Sequence, residues 1–169
     1  MKNVGSKENI MNKEYIHYGH KHFDRNAFVP IQNGKEVLPK PIGGLWASPA
    51  DAKFGWKEWC ESENFRECEK ENSFSFTLKK NAKVAHIFSN YDLNQLPQRS
   101  LDFISSFTSW VLLDFEKMLR DGIDALELHL SASQNRDYND GNDLYFLLYG
   151  WDCDSILVMN PDIILPIEK

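Results

Sequence analysis

Apolar residues in this chain gather in short, strand-length stretches distributed from one end to the other, and one longer stretch has a helical period. Glu-Tyr-Ile-His-Tyr at 14–18 and Gly-Leu-Trp-Ala-Ser at 44–48 read as short strands. Ser-Phe-Ser-Phe-Thr-Leu at 73–78 and Asp-Ala-Leu-Glu-Leu-His-Leu at 124–130 alternate polar with apolar, as half-buried strands do. Lys-Val-Ala-His-Ile-Phe at 83–88 reads as the partner of 73–78, with Lys80-Asn81 at the turn. Ser-Ile-Leu-Val-Met-Asn at 155–160 reads as a buried strand, and Ile-Ile-Leu-Pro-Ile at 163–167 either extends it or adds an edge. Leu-Tyr-Phe-Leu-Leu-Tyr-Gly at 144–150 suits a helical turn or a strand equally.

Two helices are expected between these strands. Ser48-Pro49-Ala50-Asp51 has a capping serine followed by proline at the first helical position, predicting a helix over 49–60. Leu101, Ile104, Phe107, Val111, Phe115 and Met118 recur at three- and four-residue steps, predicting a helix over 99–120. Lys117 and Arg120 suit its negative end, and Gly122 its stop. Strands at both ends with helices between them predict an α+β domain, a mixed and mainly antiparallel sheet with helices packed on it. Strands and helices do not alternate regularly, which disfavours a doubly wound parallel sheet. No GxGxxG follows a strand and no Walker loop is present, so a nucleotide would need another geometry.

Composition bounds the function. Hydrophobic residues are 42% and aromatics 13% of 169 residues, enough for a core and too many for disorder. One domain over 14–169 is expected, behind a loose polar tail over 1–13 that has no apolar run and does not read as a secretory signal. The net charge of −6 disfavours broad nucleic-acid binding. No apolar stretch is long enough to cross a bilayer. Cys60, Cys68 and Cys153 are odd in number and lack CxxC spacing, which argues against disulfides and zinc and for free thiols in the cytosol. Pro and Gly cluster at 30–44, a long loop of the kind that is often functional. Residues 61–72 are charged and read as solvated, and 131–143 as a polar loop.

Three clusters carry candidate chemistry. His17, His20 and His22 lie in Tyr-Ile-His-Tyr-Gly-His-Lys-His-Phe; convergence on a metal would need a turn at Gly19, and no acid–histidine pairing supports one, so no metal is assigned. His17 sits mid-strand, where it either donates to a ligand hydroxyl or is satisfied by backbone in the core. Gly43 and Gly44 allow close backbone approach, Trp46 offers a ring for stacking, and Ser48 a hydroxyl; Trp46, Trp56 and Trp59 are equally suited to the core. Asp152 and Asp154 flank Cys153 where the strand at 155 begins, either as carboxylates at a cleft mouth or as a polar turn. Glu127 faces solvent or the cleft. No GxSxG and no activated cysteine is present.

The order of these segments resembles the ADP-ribosyltransferase superfamily, both its diphtheria-toxin-like and its poly-ADP-ribose-polymerase-like branches. The resemblance lies in the Tyr-Ile-His-Tyr-Gly strand, the Gly-Leu-Trp-Ala-Ser strand and the closing strand with its Asp-Ser start and Asn-Pro-Asp-Ile-Ile finish. Lys-Asn-Ala-Lys-Val-Ala-His-Ile-Phe looks like a middle strand of that family, and Gly-Ile-Asp-Ala-Leu-Glu-Leu is similar to its Gly-Tyr-Asp-Gly strand opening. Gly-Leu-Trp-Ala-Ser-Pro also resembles bacterial and phage proteins of uncharacterised function. The family likeness implies a split sheet around NAD⁺, with a first-strand His, a second-strand aromatic and a last-strand Glu. It implies that His17 bonds the adenosine ribose and that the Tyr18–Gly19 backbone holds the nicotinamide carboxamide. Trp46 takes the aromatic position with Ser48 nearby, and the catalytic acid falls at Asp154, although counting back from Asn160 lands on Ser155. The implied activity is release of nicotinamide and transfer of ADP-ribose to an unknown acceptor; the alternative is a catalytically silent module that binds NAD⁺, ADP-ribose or a partner protein. An RNA 2′-phosphotransferase would need several Arg and Lys converging on phosphates, which these segments do not offer.

Overall fold

The computed structural model describes residues 13–35, 39–100, 111–130 and 147–168. In chain order they form β1 (Tyr15–Tyr18), β2 (Leu45–Pro49), α1 (Trp56–Ser62), β3 (Ser73–Leu78), β4 (Val84–Ile87), α2 (Asn90–Asn94), β5 (Gln98–Ser100), β6 (Val111–Leu113), α3 (Phe115–Arg120), β7 (Ala125–Leu128), β8 (Ser155–Val158) and β9 (Ile164–Pro166). Seven strands make one sheet in the order β4-β7-β8-β2-β1-β3-β9, and β5 pairs with β6 apart from it. β4 and β7 run parallel, while the other neighbours are antiparallel. The chain is thus α+β with a mixed, mainly antiparallel sheet. No helix among the described residues is long and apolar enough to cross a membrane.

Apolar clusters cover both faces of the sheet. Leu126, Leu128 and Leu157 pack on one face with Phe115, Met118 and Trp151. Phe74, Phe76, Ile156 and Val158 pack on the other with Tyr15 and Ile163. β8 is therefore apolar without alternation, because a strand covered on both sides has no wet face.

Three expectations change, and one open alternative is decided. The helical period over 99–120 does not make one helix: β5 and β6 are antiparallel strands, and α3 begins only at Phe115. The reason is local. Val111, Leu112 and Leu113 are apolar in succession, and Asp114 caps α3 by accepting from the Lys117 N–H at 2.9 Å. Residues 101–110, which carry half of the apparent period, lie outside the described residues.

The helix expected over 49–60 is displaced to Trp56–Ser62, because Pro49 closes β2 instead. Ser48 still caps it, but through space: its Oγ accepts from the Trp56 N–H at 2.8 Å. β4 does not pair with β3, whose two edges are taken by β1 and β9; it pairs with β7. Residues 163–167 supply an edge, β9, rather than extending β8. The polar loop at 131–143, residues 144–146 and the tail up to residue 12 lie outside the described residues.

Candidate functional site

The centre of the sheet is where its ladder stops. β1 and β2 pair in register at Tyr15–Pro49 and Ile16–Ser48 and no further. One residue on, a side chain replaces the backbone: His17 Nδ1 donates to the Trp46 carbonyl oxygen at 2.7 Å. A carbonyl can only accept, so Nδ1 carries the ring proton and Nε2 is left as an acceptor, 3.0 Å from His20 Nδ1. Phe74 packs against the same imidazole.

Burial holds the His17 imidazole below the ordinary histidine range, with His20 and Arg66 acting the same way and the Trp46 carbonyl opposing them. The ring is therefore neutral in the fold where the unfolded chain would hold a proton. Stability from this group is present above the unfolded value, near 6.5, and declines as pH falls toward the folded one. In urea unfolding between about pH 7 and about pH 5.5, the wild type is expected to lose more stability than His17→Gln. Equal slopes for the two proteins would show that the ring is not held neutral.

The parting of β1 and β2 opens a cleft of about 240 Å³ bordered by His17, Tyr18, Trp46, Trp151, Asp152 and Ser155. A second, wider hollow of about 460 Å³ shares His17 and Trp46 with it and runs toward Phe23, Gly43 and Phe74. Trp46 meets Trp151 edge-on at 4.6 Å, and the Lys40 ammonium lies over the Trp46 ring at 4.7 Å. Lys40 and Arg66 both border the first cleft, so two cations face it although the chain is net acidic. Trp151 is buried, and its Nε1–H has no hydrogen-bond partner among the described residues. A buried donor without a partner costs about 1–3 kcal/mol.

The residues singled out in the sequence are distributed unevenly. His17, Tyr18, Trp46 and Ser48 border the cleft, but strand alternation sends Trp46 and Ser48 to one face of the sheet and the His17 ring to the other, beside Phe74, so the imidazole and the indole meet only at the gap between the strands. The Ser48 hydroxyl is already committed, donating to the Asp154 carbonyl at 2.8 Å while capping α1. The Gly19 N–H donates to the Asn72 carbonyl, and the Tyr18 carbonyl accepts from Arg66 at 3.2 Å. The Gly19 N–H is thus committed to Asn72, although it was expected to hold a carboxamide. Gly43 and Gly44 do permit a close approach, but to protein: a Cβ on Gly43 would stand 2.3 Å from the Pro30 carbonyl oxygen, and one on Gly44 2.6 Å from Leu157.

Asp154 is the main displacement. Side chains alternate along a strand, and Ser155 shares a face with Leu157 and Trp46. Asp154 therefore projects to the opposite face, where its charge acts on His129. It is buried and does not border the cleft. Asp152 is the carboxylate that does. Ser155 occupies the strand position inside, with its hydroxyl donating to the Cys153 carbonyl at 3.1 Å. Burial pushes the Cys153 thiol up to about 12, so it is protonated at neutral pH and is no nucleophile.

Sequence reasoning missed Lys40 and Arg66, and it gave Trp151, at the head of the Asp152–Asp154 cluster, no role of its own. Each reaches the cleft from outside the strands, and no local pattern marks them. No protein-family model matches the chain, and neither a curated protein nor a solved structure does.

Proposed function

We propose that this chain binds NAD⁺ across the gap between β1 and β2 and is an ADP-ribosyltransferase-like protein. The observation that carries the reading is the parted sheet itself: the ladder ends at Ile16–Ser48, and two hollows, one on each face of the sheet, meet at His17 and Trp46 through that gap. A dinucleotide has two ends and needs two adjoining subsites.

The chemistry of the lining supports the same ligand. Trp46 already holds an ammonium over its ring, and the nicotinamide ring of NAD⁺ is itself a cation. Lys40 and Arg66 are suited to the diphosphate, Arg by a bidentate fork. His17 Nε2 accepts from a ribose hydroxyl in place of the exposed His20. A carboxamide or ribose oxygen gives the buried Trp151 Nε1–H the acceptor it lacks.

In the reaction, the bond between ribose C1′ and the nicotinamide nitrogen breaks. Its electron pair stays on nicotinamide, which leaves neutral, and the ribose is left as an oxocarbenium ion. The Asp152 carboxylate stabilises that charge, and the acceptor nucleophile adds to C1′ with loss of its proton. The nucleophile belongs to a protein, a nucleic acid or water. One observation favours the silent-module reading: the strand position inside the cleft is Ser155, and Asp154 faces away.

A thermal-shift titration separates binding from no binding. NAD⁺ and ADP-ribose at about 100 times Kd would add roughly 2.7 kcal/mol, a Tm rise of several degrees. His17→Ala is expected to abolish that rise. An unmoved wild-type Tm at millimolar NAD⁺, ADP-ribose and nicotinamide would sink the reading.

A further inference from the structure

We propose that His86, Glu127 and His129 form a site for a divalent transition-metal ion of the Zn²⁺ type, separate from the cleft between β1 and β2. The three residues are brought together by register. β4 and β7 are parallel neighbours with His86 directly opposite Glu127. The ladder continues beyond them, the His129 N–H donating to the Ile87 carbonyl at 3.0 Å. Glu127 and His129 are two residues apart, so all three side chains leave the same face of rigid backbone.

Two of their three donor pairs have the spacing a small cation requires. Two ligand atoms each about 2.1 Å from one ion, at angles between octahedral and tetrahedral, lie about 3.0–3.4 Å apart. His86 Nδ1 is 2.9 Å from His129 Nε2 and 3.4 Å from Glu127 Oε2, while the third pair, His129 Nε2 and Glu127 Oε1, is wider at 3.9 Å. One ligand atom from each of the three residues lies within 4.8 Å of the others. The two imidazole nitrogens aim at each other, an arrangement that needs one shared proton or one cation between them. Zn²⁺ replaces that proton and takes both lone pairs.

The surroundings are those of a supported site. Glu127 is fully buried and borders neither solvent nor the cleft between β1 and β2. Tyr15 Oη donates to Oε2 at 3.0 Å, and Lys13 Nζ sits 2.5 Å from Oε1. The tyrosine orients the carboxylate as hydrogen-bonded neighbours orient metal ligands. The lysine supplies the positive charge that a buried carboxylate demands. The Phe88 ring stacks on His129 at 4.0 Å and fixes its plane. The His86 side chain remains 45% exposed, so an ion has a way in and a coordination position open to water. Three protein ligands, two imidazoles and one carboxylate, are the donor set of open zinc sites. Mg²⁺ prefers all-oxygen ligands and is not expected to compete.

The competing account is an ion-pair cluster that only fastens Lys13 to the sheet. Calorimetric titration of the chelator-stripped full chain with Zn²⁺, read beside the visible spectrum with Co²⁺, distinguishes the two. One equivalent of Zn²⁺ is expected to bind the wild type. Affinity should fall at least about tenfold in His86→Ala, whose exposed position leaves the fold intact, and likewise in His129→Ala. Lys13→Met should bind more tightly, because a competing cation is gone. Cys60→Ser and His20→Ala should bind as the wild type does. The proposal is overturned by absence of binding at micromolar Zn²⁺, by unchanged affinity in both histidine variants, or by loss of binding in Cys60→Ser or His20→Ala. It is overturned too if Lys13→Met binds more weakly.

Discussion

Trp151→Ala is expected to cost about 3–5 kcal/mol and to lower the melting temperature by roughly 6–20 °C. Trp151 is 2% exposed, crosses Trp46 at 4.6 Å and lies parallel to Phe115 at 6.4 Å. It belongs at once to the core beneath the sheet and to the wall of the cleft. Truncation leaves a cavity that α3 and β8, held by their own packing, cannot close. NAD⁺ binding should be lost even at temperatures where the variant is folded, because Trp46 loses the ring that holds it edge-on. Trp151→Phe separates the two roles. It keeps most of the buried area and deletes a donor with no partner among the described residues, so its stability should stay close to wild type while NAD⁺ affinity falls. Calorimetric melting checks the first part, and a Tm within two or three degrees of wild type for Trp151→Ala would contradict the packing described.

The second large effect concerns the two aspartates that flank Cys153. Asp152→Asn is expected to reduce nicotinamide release by roughly 10²-fold, the cost of removing one group that stabilises developing charge. NAD⁺ affinity should change little, since the carboxylate acts on a charge present only in the transition state. Asp154→Asn should leave the release rate near wild type, because its carboxylate lies across the sheet beside His129. Single-turnover nicotinamide release together with a binding titration tests both. If Asp154→Asn abolishes release and Asp152→Asn does not, the assignment to the cleft-facing aspartate is wrong. If the wild type binds NAD⁺ and releases no nicotinamide, the silent-module reading stands, and Ser155 in the strand is its physical reason.

The first prediction turns on packing and the second on which face each aspartate takes, and faces are what local pattern shows least. Asp152 and Asp154 are equivalent in sequence, two acids beside one cysteine ahead of an apolar strand. Residues two apart share a face of a strand, so Asp152 reaches the cleft only because the chain bends at 153–154 before β8 begins, while the register of β8 against β2, with Trp46 opposite Leu157, turns Asp154 to the opposite face. The same register carries Ser48 to the Asp154 carbonyl and commits its hydroxyl to the fold. Glu127 presents the same problem. An acid between Leu126 and Leu128 reads as half-wet, yet packing on both faces buries it, and Tyr15 and Lys13 come from far along the chain to satisfy it.

Short-range pattern by itself determined the class of this protein and most of its strands. Apolar stretches of strand length, bounded by Gly, Pro and Asn, report local backbone preference, and that preference survives folding at β1, β2, β3, β4, β7, β8 and β9. Tertiary structure alone decided the partners and the faces. It broke the apparent 99–120 helix at Asp114, placed β9 rather than β4 beside β3, and parted β1 from β2 at His17. These outcomes rest on contacts between residues far apart in the chain, 29 positions for His17 with Trp46 and 112 for Tyr15 with Glu127. A local period carries no information about such contacts, because it records which side of an element is apolar and not what lies against it.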